Sequence, residues 1–141
     1  MDGYNNDNGG GFSTPLQSSD SIKFLNTLAD YAHNSAQNMG IGLKNSGAIV
    51  GDTKSFLDWV VNEQCVQFTE CDTFSPFITT GPQGKPVFHI EYEVDKFSDT
   101  PVANRHDDCY GADTDKFSTV IKPDSQSIPK NTVFCSEVPK I

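Results

Sequence analysis

The residues of this chain that could do chemistry are carboxylates and amides that follow short apolar runs. Glu63 follows such a run and lies between Asn62 and Gln64, and Glu91 directly follows the run that ends at Ile90. A carboxyl group that is partly removed from water and held by hydrogen bonds can have a pKa suited to acid or base chemistry. From spacing alone, Glu63 is explained equally well as a solvent-facing residue at the end of a strand.

Glu63 and Glu91 are one predicted strand–helix repeat apart. Neighbouring parallel strands lie about 5 Å apart, so the two carboxylates could share one cleft. Paired carboxylates in a sugar-binding cleft are the groups that hydrolyse glycosidic bonds. The pair would also suit a metal ion, but the sequence has no His-rich cluster to support one.

Other chemistries have little support. His33, His89 and His106 fall on three different predicted elements, which favours helix-face, core or surface roles over metal binding. The run Gly9-Gly10-Gly11 lacks the Lys-Ser/Thr of a phosphate-binding loop, and Arg105 is the one arginine. There is no Gly-x-Ser-x-Gly motif for a serine nucleophile. We therefore predict no metal, no cofactor and no nucleotide.

Periodicity predicts one long helix and four short strands. Apolar residues spaced by three and four predict a helix from Ser19 or Asp20 to about Gly40. Short apolar runs predict strands at residues 41–43, 59–61, 86–90 and 117–121, and shorter helices are expected at 54–57 and within 71–80. Residues 2–14, residues 95–115 and the tail from Lys122 are polar and are predicted as loop or coil.

Strands buried on both faces that alternate with helices indicate an α/β fold with a parallel sheet. In such sheets the active site lies at the carboxyl ends of the strands. The pairs Lys44-Asn45, Asn62-Glu63 and Glu91-Tyr92 all fall at that edge. Their coincidence is the strongest functional signal in the residues themselves.

Composition narrows the class of partner. The chain has 141 residues, enough for one domain, and a formal net charge of −9. That charge argues against a nucleic acid or an anionic membrane as partner. No run approaches the roughly 18 apolar residues of a membrane helix.

The four cysteines indicate an oxidising compartment. They are Cys65, Cys71, Cys109 and Cys135, in a chain rich in Asn, Ser, Thr and Asp. Their spacing does not match a zinc ribbon, and it favours Cys65–Cys71 and Cys109–Cys135 disulfides, although three pairings are possible. No secretory signal precedes this extracellular type of sequence, which suggests that an N-terminal part of the gene product is missing.

Ordered blocks along the chain resemble the motifs of glycoside hydrolase family 114. They are Asp2-Gly3-Tyr4, Gly42-Leu43-Lys44-Asn45, Val60-Val61-Asn62-Glu63-Gln64-Cys65, Glu70-Cys71-Asp72, Gly84-Lys85-Pro86-Val87-Phe88 and Ile90-Glu91-Tyr92. The Asn-Glu-Gln-Cys block with Glu-Cys-Asp shortly after it is specific. The family is a TIM-barrel group of endo-α-1,4-polygalactosaminidases, and its fungal members are often described as α-galactosidase-like.

The resemblance implies the C-terminal half of a (β/α)8 barrel, with strands five to eight at residues 41–45, 59–63, 86–91 and 118–121. A whole barrel typically takes about 250 residues. Residues 1–18 would form an active-site loop, 19–121 the βα units and 122–141 a coil tail of that domain. The full-length protein would be secreted.

The resemblance also implies the site. Glu63 is expected to be catalytic as acid/base, and its partner is an aspartate on or just after strand four. Asp2 is the nearest candidate, and the alternative is a residue upstream of Met1. Residues expected to line the sugar cleft are Lys44, Asn62, Glu91 and Tyr92, with Tyr4 as a stacking face.

The expected function is hydrolysis of α-linked galactosamine or galactose polymers. The alternative is a catalytically inactive fragment that at most binds carbohydrate, and an unrelated α/β binding domain is a third reading. Four strands alone would leave sheet edges unpaired. Self-association of two half barrels is therefore a further possible partner interaction.

Overall fold

A computed structural model describes residues 12–92, 105–111, 113–123 and 132–138. Four α-helices occupy α1 Ser18–His33, α2 Val50–Thr53, α3 Ser75–Ile78 and α4 Arg105–Tyr110. Five strands occupy β1 Gly42–Lys44, β2 Trp59–Glu63, β3 Val87–Tyr92, β4 Ser118–Lys122 and β5 Val133–Phe134. Short 3-10 turns at Gly47–Ile49, Cys71–Phe74 and Cys135–Glu137 complete the described elements.

The strands form one sheet in the order β1-β2-β3-β4-β5, in which β1 to β4 are parallel and β5 is antiparallel to β4. The predicted α/β class and the four predicted strands are thereby confirmed. Each parallel strand is added beside the preceding one. Sequential addition in one direction is the arrangement found in a (β/α) barrel, whereas a doubly wound sheet reverses its strand order.

The two faces of the sheet differ. Leu43, Val60 and Val87 pack with residues of α1 and α3 in the main hydrophobic core, and we call this side the helix-covered face. The alternate residues of each strand point the other way. On that side Phe88 is 43% exposed, and we call it the open face.

Helix α1 has the predicted start but ends at His33, seven residues before Gly40. Leu25, Ala29 and Ala32 bury the predicted apolar stripe. The Ala32 carbonyl, which would accept the Ala36 N–H in a further helical turn, accepts the Ser35 hydroxyl at 2.8 Å and the Met39 N–H at 3.1 Å. The predicted extension to Gly40 is therefore wrong: residues 34–37 form turns and a bend, and residues 38–40 have no regular secondary structure.

The helix predicted at residues 54–57 is also wrong, because α2 lies just before it. Ile49 and Val50 are fully buried and hold the helical segment against the core. The Lys85 ammonium donates to the carbonyls of Lys54 and Leu57 at 2.7 and 2.6 Å. These carbonyls bond to a cation and not to further amide groups, so the helix does not continue.

Two elements fall in segments that the sequence predicted as irregular. Helix α4 lies within residues 95–115, and β5 lies within the predicted coil tail. The Cys109–Cys135 disulfide links α4 to the residue directly after β5, and both cysteines pack against Ile121 in a second, smaller core. A short helix and a two-residue strand have almost no periodicity, so the pattern of the sequence does not reveal them.

Among the described helices, none has both the length and the apolar character needed to cross a membrane.

Asp58 connects α1 to β1. Its Oδ2 atom lies 2.9 Å from His33 Nε2 and accepts the Ile41 N–H at 2.8 Å. Burial raises the pKa of Asp58, but the hydrogen bonds from His33 and Ile41, with the charges of His33 and Lys85, outweigh this effect and hold its pKa below the usual value.

We expect the fold to lose stability as the pH falls, and Asp58→Asn to reduce that loss. A carboxyl with a lowered folded-state pKa stabilises the chain above its ordinary pKa of 3.8 and loses this contribution as the pH falls through the folded value. The side chains of His33 and Asp58 are 37% and 40% exposed, so solvent screens their interaction. Its contribution to the free energy of unfolding therefore stays below about 1 kcal/mol. Urea unfolding at about pH 5 and about pH 3 measures it. An equal loss in wild type and variant would contradict the assignment.

Candidate functional site

The carboxyl ends of the parallel strands bring four side chains together on the open face. Lys44 ends β1, Glu63 ends β2, Tyr92 ends β3 and Lys122 ends β4. Lys122 Nζ lies 5.4 Å from the centroid of the Tyr92 ring. The edge therefore has one carboxylate, one phenol and two ammonium groups among the residues that the structure describes at these strand ends.

Glu63 is held at both carboxylate oxygens. Lys44 Nζ donates to Oε2 at 2.5 Å, and the Tyr92 hydroxyl donates to Oε1 at 2.6 Å. The side chain of Glu63 is 31% exposed, so solvent and ligands can reach it. Two anchors on one carboxylate fix its orientation, as a catalytic carboxylate requires.

The surroundings of Glu63 favour its charged form. Burial raises the pKa of Glu63, but the hydrogen bonds from Lys44 and Tyr92, the charge of Lys44 and the contact with Asn45 lower it further than burial raises it. The pKa therefore lies below the ordinary value. At neutral pH this side chain is therefore a carboxylate, which has no proton to donate.

Asn62 and Glu91, predicted to line the cleft, lie on the other side of the sheet. Both belong to strands and not to the loops after them. In the parallel register Asn62 pairs with His89, whereas Glu63 pairs with Ile90. Side chains alternate along a strand, so Asn62, His89 and Glu91 share the helix-covered face. Their exposures are 1%, 0% and 3%, and the prediction that Glu63 and Glu91 share a cleft is wrong.

Glu91 is part of a buried cluster. Its Oε1 atom accepts the Val66 N–H and lies within hydrogen-bond distance of His89 Nε2, both at 2.8 Å. His89 Nδ1 lies 3.0 Å from the Thr119 hydroxyl, and Nε2 lies 3.3 Å from Cys65 Sγ. The prediction of a core position for His89 is confirmed, and its pairing with Glu91 was not foreseen.

The cysteines form the Cys65–Cys71 and Cys109–Cys135 disulfides, the pairing that their spacing favours. The ligand atoms of Cys65, Cys71 and His89 lie within 4.8 Å of one another. A thiolate is the form of cysteine that binds a metal, and the two sulfurs here are bonded to each other.

The predicted site residues also include two near the N-terminus. Asp2 and Tyr4 lie outside the described residues, so their positions relative to Glu63 stay predictions.

A cavity of about 300 Å³ lies beside the Cys65–Cys71 disulfide and between Val66 and Thr114. None of Lys44, Glu63 and Tyr92 lines this cavity, so it is separate from the carboxylate site.

Asn45 is a site residue that the sequence placed at the correct edge without a role. Its Nδ2 atom lies 3.5 Å from Glu63 Oε2, and its Oδ1 atom accepts the Glu63 N–H at 2.9 Å. Its backbone has a positive φ of 50°, where asparagine is tolerated better than most residues. An asparagine directly after a short strand was the available signal.

Comparison with known proteins assigns the family. This chain is similar to Aspergillus fumigatus Ega3, whose crystal structure was solved in complex with galactosamine. The two sequences are 47% identical, and the structures superpose with a TM-score of 0.67 over 86% of this chain. The match covers 46% of the Ega3 chain, so this chain spans about half of that relative. No curated protein matches the chain. The model of glycoside hydrolase family GH114 matches residues 1–138, and the chain therefore belongs to that family.

Proposed function

We propose that this chain provides part of the active site of a glycoside hydrolase that cleaves α-linked galactosamine or galactose polymers. The observation that carries the proposal is the Glu63 carboxylate, anchored by Lys44 and Tyr92 at the carboxyl edge of a parallel sheet. Membership of GH114 supplies the reaction class. We further propose that the four parallel strands correspond to strands five to eight of a (β/α)8 barrel.

Glycosidic hydrolysis needs two carboxyl groups in different protonation states. Glu63 is expected to act as acid/base, and its lowered pKa supports the function of a base. Glu63 would accept a proton from the attacking water or attack the sugar directly. A second carboxyl group would then protonate the leaving oxygen, so its pKa must lie higher. Asp2 is the first candidate for that group.

The two anchors of Glu63 differ in their exposure. Lys44 is about one-third exposed, like Glu63 itself, whereas Tyr92 is 4% exposed and presents its hydroxyl to the carboxylate. We propose that Lys44 and Tyr92 contact the sugar beside the scissile bond while they hold Glu63. Tyr4 would supply a stacking face, since aromatic rings pack well against the apolar face of a ring-shaped ligand.

Galactosamine is the sugar bound to the related Ega3 chain. A polymer of galactosamine is cationic, and the net charge of −9 on this chain would attract it at long range. The two disulfides suit an extracellular enzyme, where such a polymer is accessible. We therefore propose a secreted enzyme and prefer galactosamine polymers to galactosides as substrate.

One observation favours the alternative of a chain that binds carbohydrate without hydrolysing it. Glu91, the carboxylate that strand spacing could have placed in the same cleft, lies on the face opposite to Glu63 and is bonded to Val66 and His89. Without another carboxyl group beside Glu63, the leaving oxygen lacks an acid. Self-association of two half barrels through the open face stays a prediction.

Release of reducing ends distinguishes these functions. The chain is incubated with an α-1,4-linked galactosamine polymer and with an α-galactoside, and Asp2→Asn and Glu70→Gln variants are compared. We expect cleavage of the galactosamine polymer, loss of cleavage in Asp2→Asn and no change at the exposed Glu70. Binding of the polymer without release of ends by the folded wild-type chain would instead support the carbohydrate-binding alternative.

A further inference from the structure

Asn45 is the first residue after β1, and three contacts fix it. Its backbone N–H donates to the Val61 carbonyl at 2.7 Å. Its side-chain Oδ1 atom accepts the Glu63 N–H at 2.9 Å and lies 3.4 Å from Asn62 Nδ2. The side chain therefore bridges the end of β1 to the end of β2, where the candidate catalytic carboxylate lies.

These contacts also decide which way the Asn45 amide faces. Because Oδ1 already faces two N–H donors, the NH2 group must point away from them. It points at Glu63 Oε2, which is 3.5 Å away. This distance is at the long limit of a hydrogen bond, so the contact is an oriented dipole facing a charge, and the hold on the backbone N–H is the stronger interaction.

Asn62 keeps the bridge from rotating. It is buried on the helix-covered face, and its Oδ1 atom accepts the Cys65 N–H at 3.2 Å. Cys65 is in turn fixed by its disulfide to Cys71. Asn62 thus presents its own NH2 group to Asn45 from a rigid position, on the side away from the carboxylate.

We propose that Asn45 is a positioning residue that, together with Lys44 and Tyr92, sets the orientation of the Glu63 carboxylate and favours its charged form. Asn45 contacts Glu63 at two places: its Oδ1 atom accepts the Glu63 backbone N–H, and its Nδ2 atom faces the Glu63 Oε2 atom. The proposal rests on the proposed function of Glu63. It adds a role for a residue that need not touch the sugar.

The positive φ of Asn45 makes two substitutions informative. Glycine and aspartate both tolerate this backbone conformation, so the turn can form in either variant. Asn45→Gly removes the amide. Asn45→Asp keeps the size and the Oδ1 acceptor, but it puts a second carboxylate beside Glu63. Asn38 is a matched control, since it is exposed, lies outside the hydrogen-bond partners of Glu63 and has a similar φ of 47°.

The test is an NMR titration of the Glu63 side-chain carboxyl carbon in the full chain, with Glu63→Gln used to assign its signal. We expect Asn45→Asp to raise the apparent midpoint of Glu63 by about one pH unit or more, because like charges at close range disfavour ionisation. Asn45→Gly should raise it less. Asn38→Asp and Asn38→Gly should leave the midpoint unchanged.

Kinetics provide the second readout. In Asn45→Asp the acid limb of the pH–rate profile should shift upward with the NMR midpoint. In Asn45→Gly we expect kcat to fall roughly 10- to 100-fold with little change in KM, because a looser carboxylate is misplaced for the reaction. A merely structural residue would change stability without moving the profile.

The outcomes separate this proposal from the proposed function. An unchanged Glu63 midpoint in Asn45→Asp overturns the positioning role, whether or not the chain hydrolyses anything. A shifted midpoint in a chain with no detectable hydrolysis supports the positioning role and counts against the proposed function. Failure of both Asn45 variants to fold, with both Asn38 variants folded, would overturn the proposal in favour of a purely structural role.

Discussion

Replacing Glu63 with glutamine is expected to lower the rate of glycosidic hydrolysis by about 10²- to 10⁴-fold while the chain stays folded. Glutamine has the same shape, but it cannot accept a proton or attack a sugar at neutral pH. Lys44 and Tyr92 would then face a neutral amide in place of the carboxylate. Release of reducing ends by equal amounts of folded protein measures the effect.

The stability of Glu63→Gln is the control for this result. Glu63 and Lys44 are each about one-third exposed, so the loss of their ion pair should cost no more than about 1 kcal/mol of unfolding free energy. Glu70→Gln, an exposed glutamate close in the chain, should keep full activity. Hydrolysis that survives in Glu63→Gln would show that another group is the catalytic carboxylate.

Replacing Glu91 with leucine should lower the stability of the chain, by about 3–5 kcal/mol in the free energy of unfolding. Glu63→Gln, by contrast, is expected to lower activity and to leave the chain folded. The carboxylate is buried, accepts the Val66 N–H and pairs with His89 at 2.8 Å. Leucine can do neither, so His89 and the Val66 N–H would be left in the interior without these partners. Urea unfolding of the variant and of wild type measures the difference.

Two companion variants test the cause. Glu91→Gln keeps an acceptor oxygen in place, and it should lose much less stability than Glu91→Leu. The double variant His89→Leu with Glu91→Leu should recover part of the loss, because it removes the imidazole Nε2 atom that Glu91→Leu leaves without its carboxylate. About 1–3 kcal/mol should remain for the orphaned Val66 N–H. Equal stability of Glu91→Leu and wild type would contradict the assignment.

Glu63 and Glu91 show why the sequence pattern predicted the strands correctly but placed the two carboxylates in one cleft wrongly. Both glutamates end apolar runs, and the runs correctly predicted two neighbouring parallel strands. Because side chains alternate along a strand, a shift of one residue in register moves a side chain to the other face. Glu63 pairs with Ile90 and not with Glu91, so the two carboxylates point to opposite sides.

Local pattern alone determined the strands, the start of α1 and the position of Glu63 at the carboxyl edge. Those features depend on short-range periodicity, which the order of residues contains directly. The end of the helix before Lys54 and the elements held by the Cys109–Cys135 disulfide depend on partners distant in the chain. No window of neighbouring residues contains that information.

The sequence by itself determined the α/β class, the favoured cysteine pairing and the carboxylate on which the proposed reaction depends. Only the tertiary structure decided which side chains face that carboxylate. Lys44, Asn45 and Tyr92 reach Glu63 across separations of 19, 18 and 29 positions. The physical reason is that strand register and twist, which arise from packing of the whole sheet, set those distances.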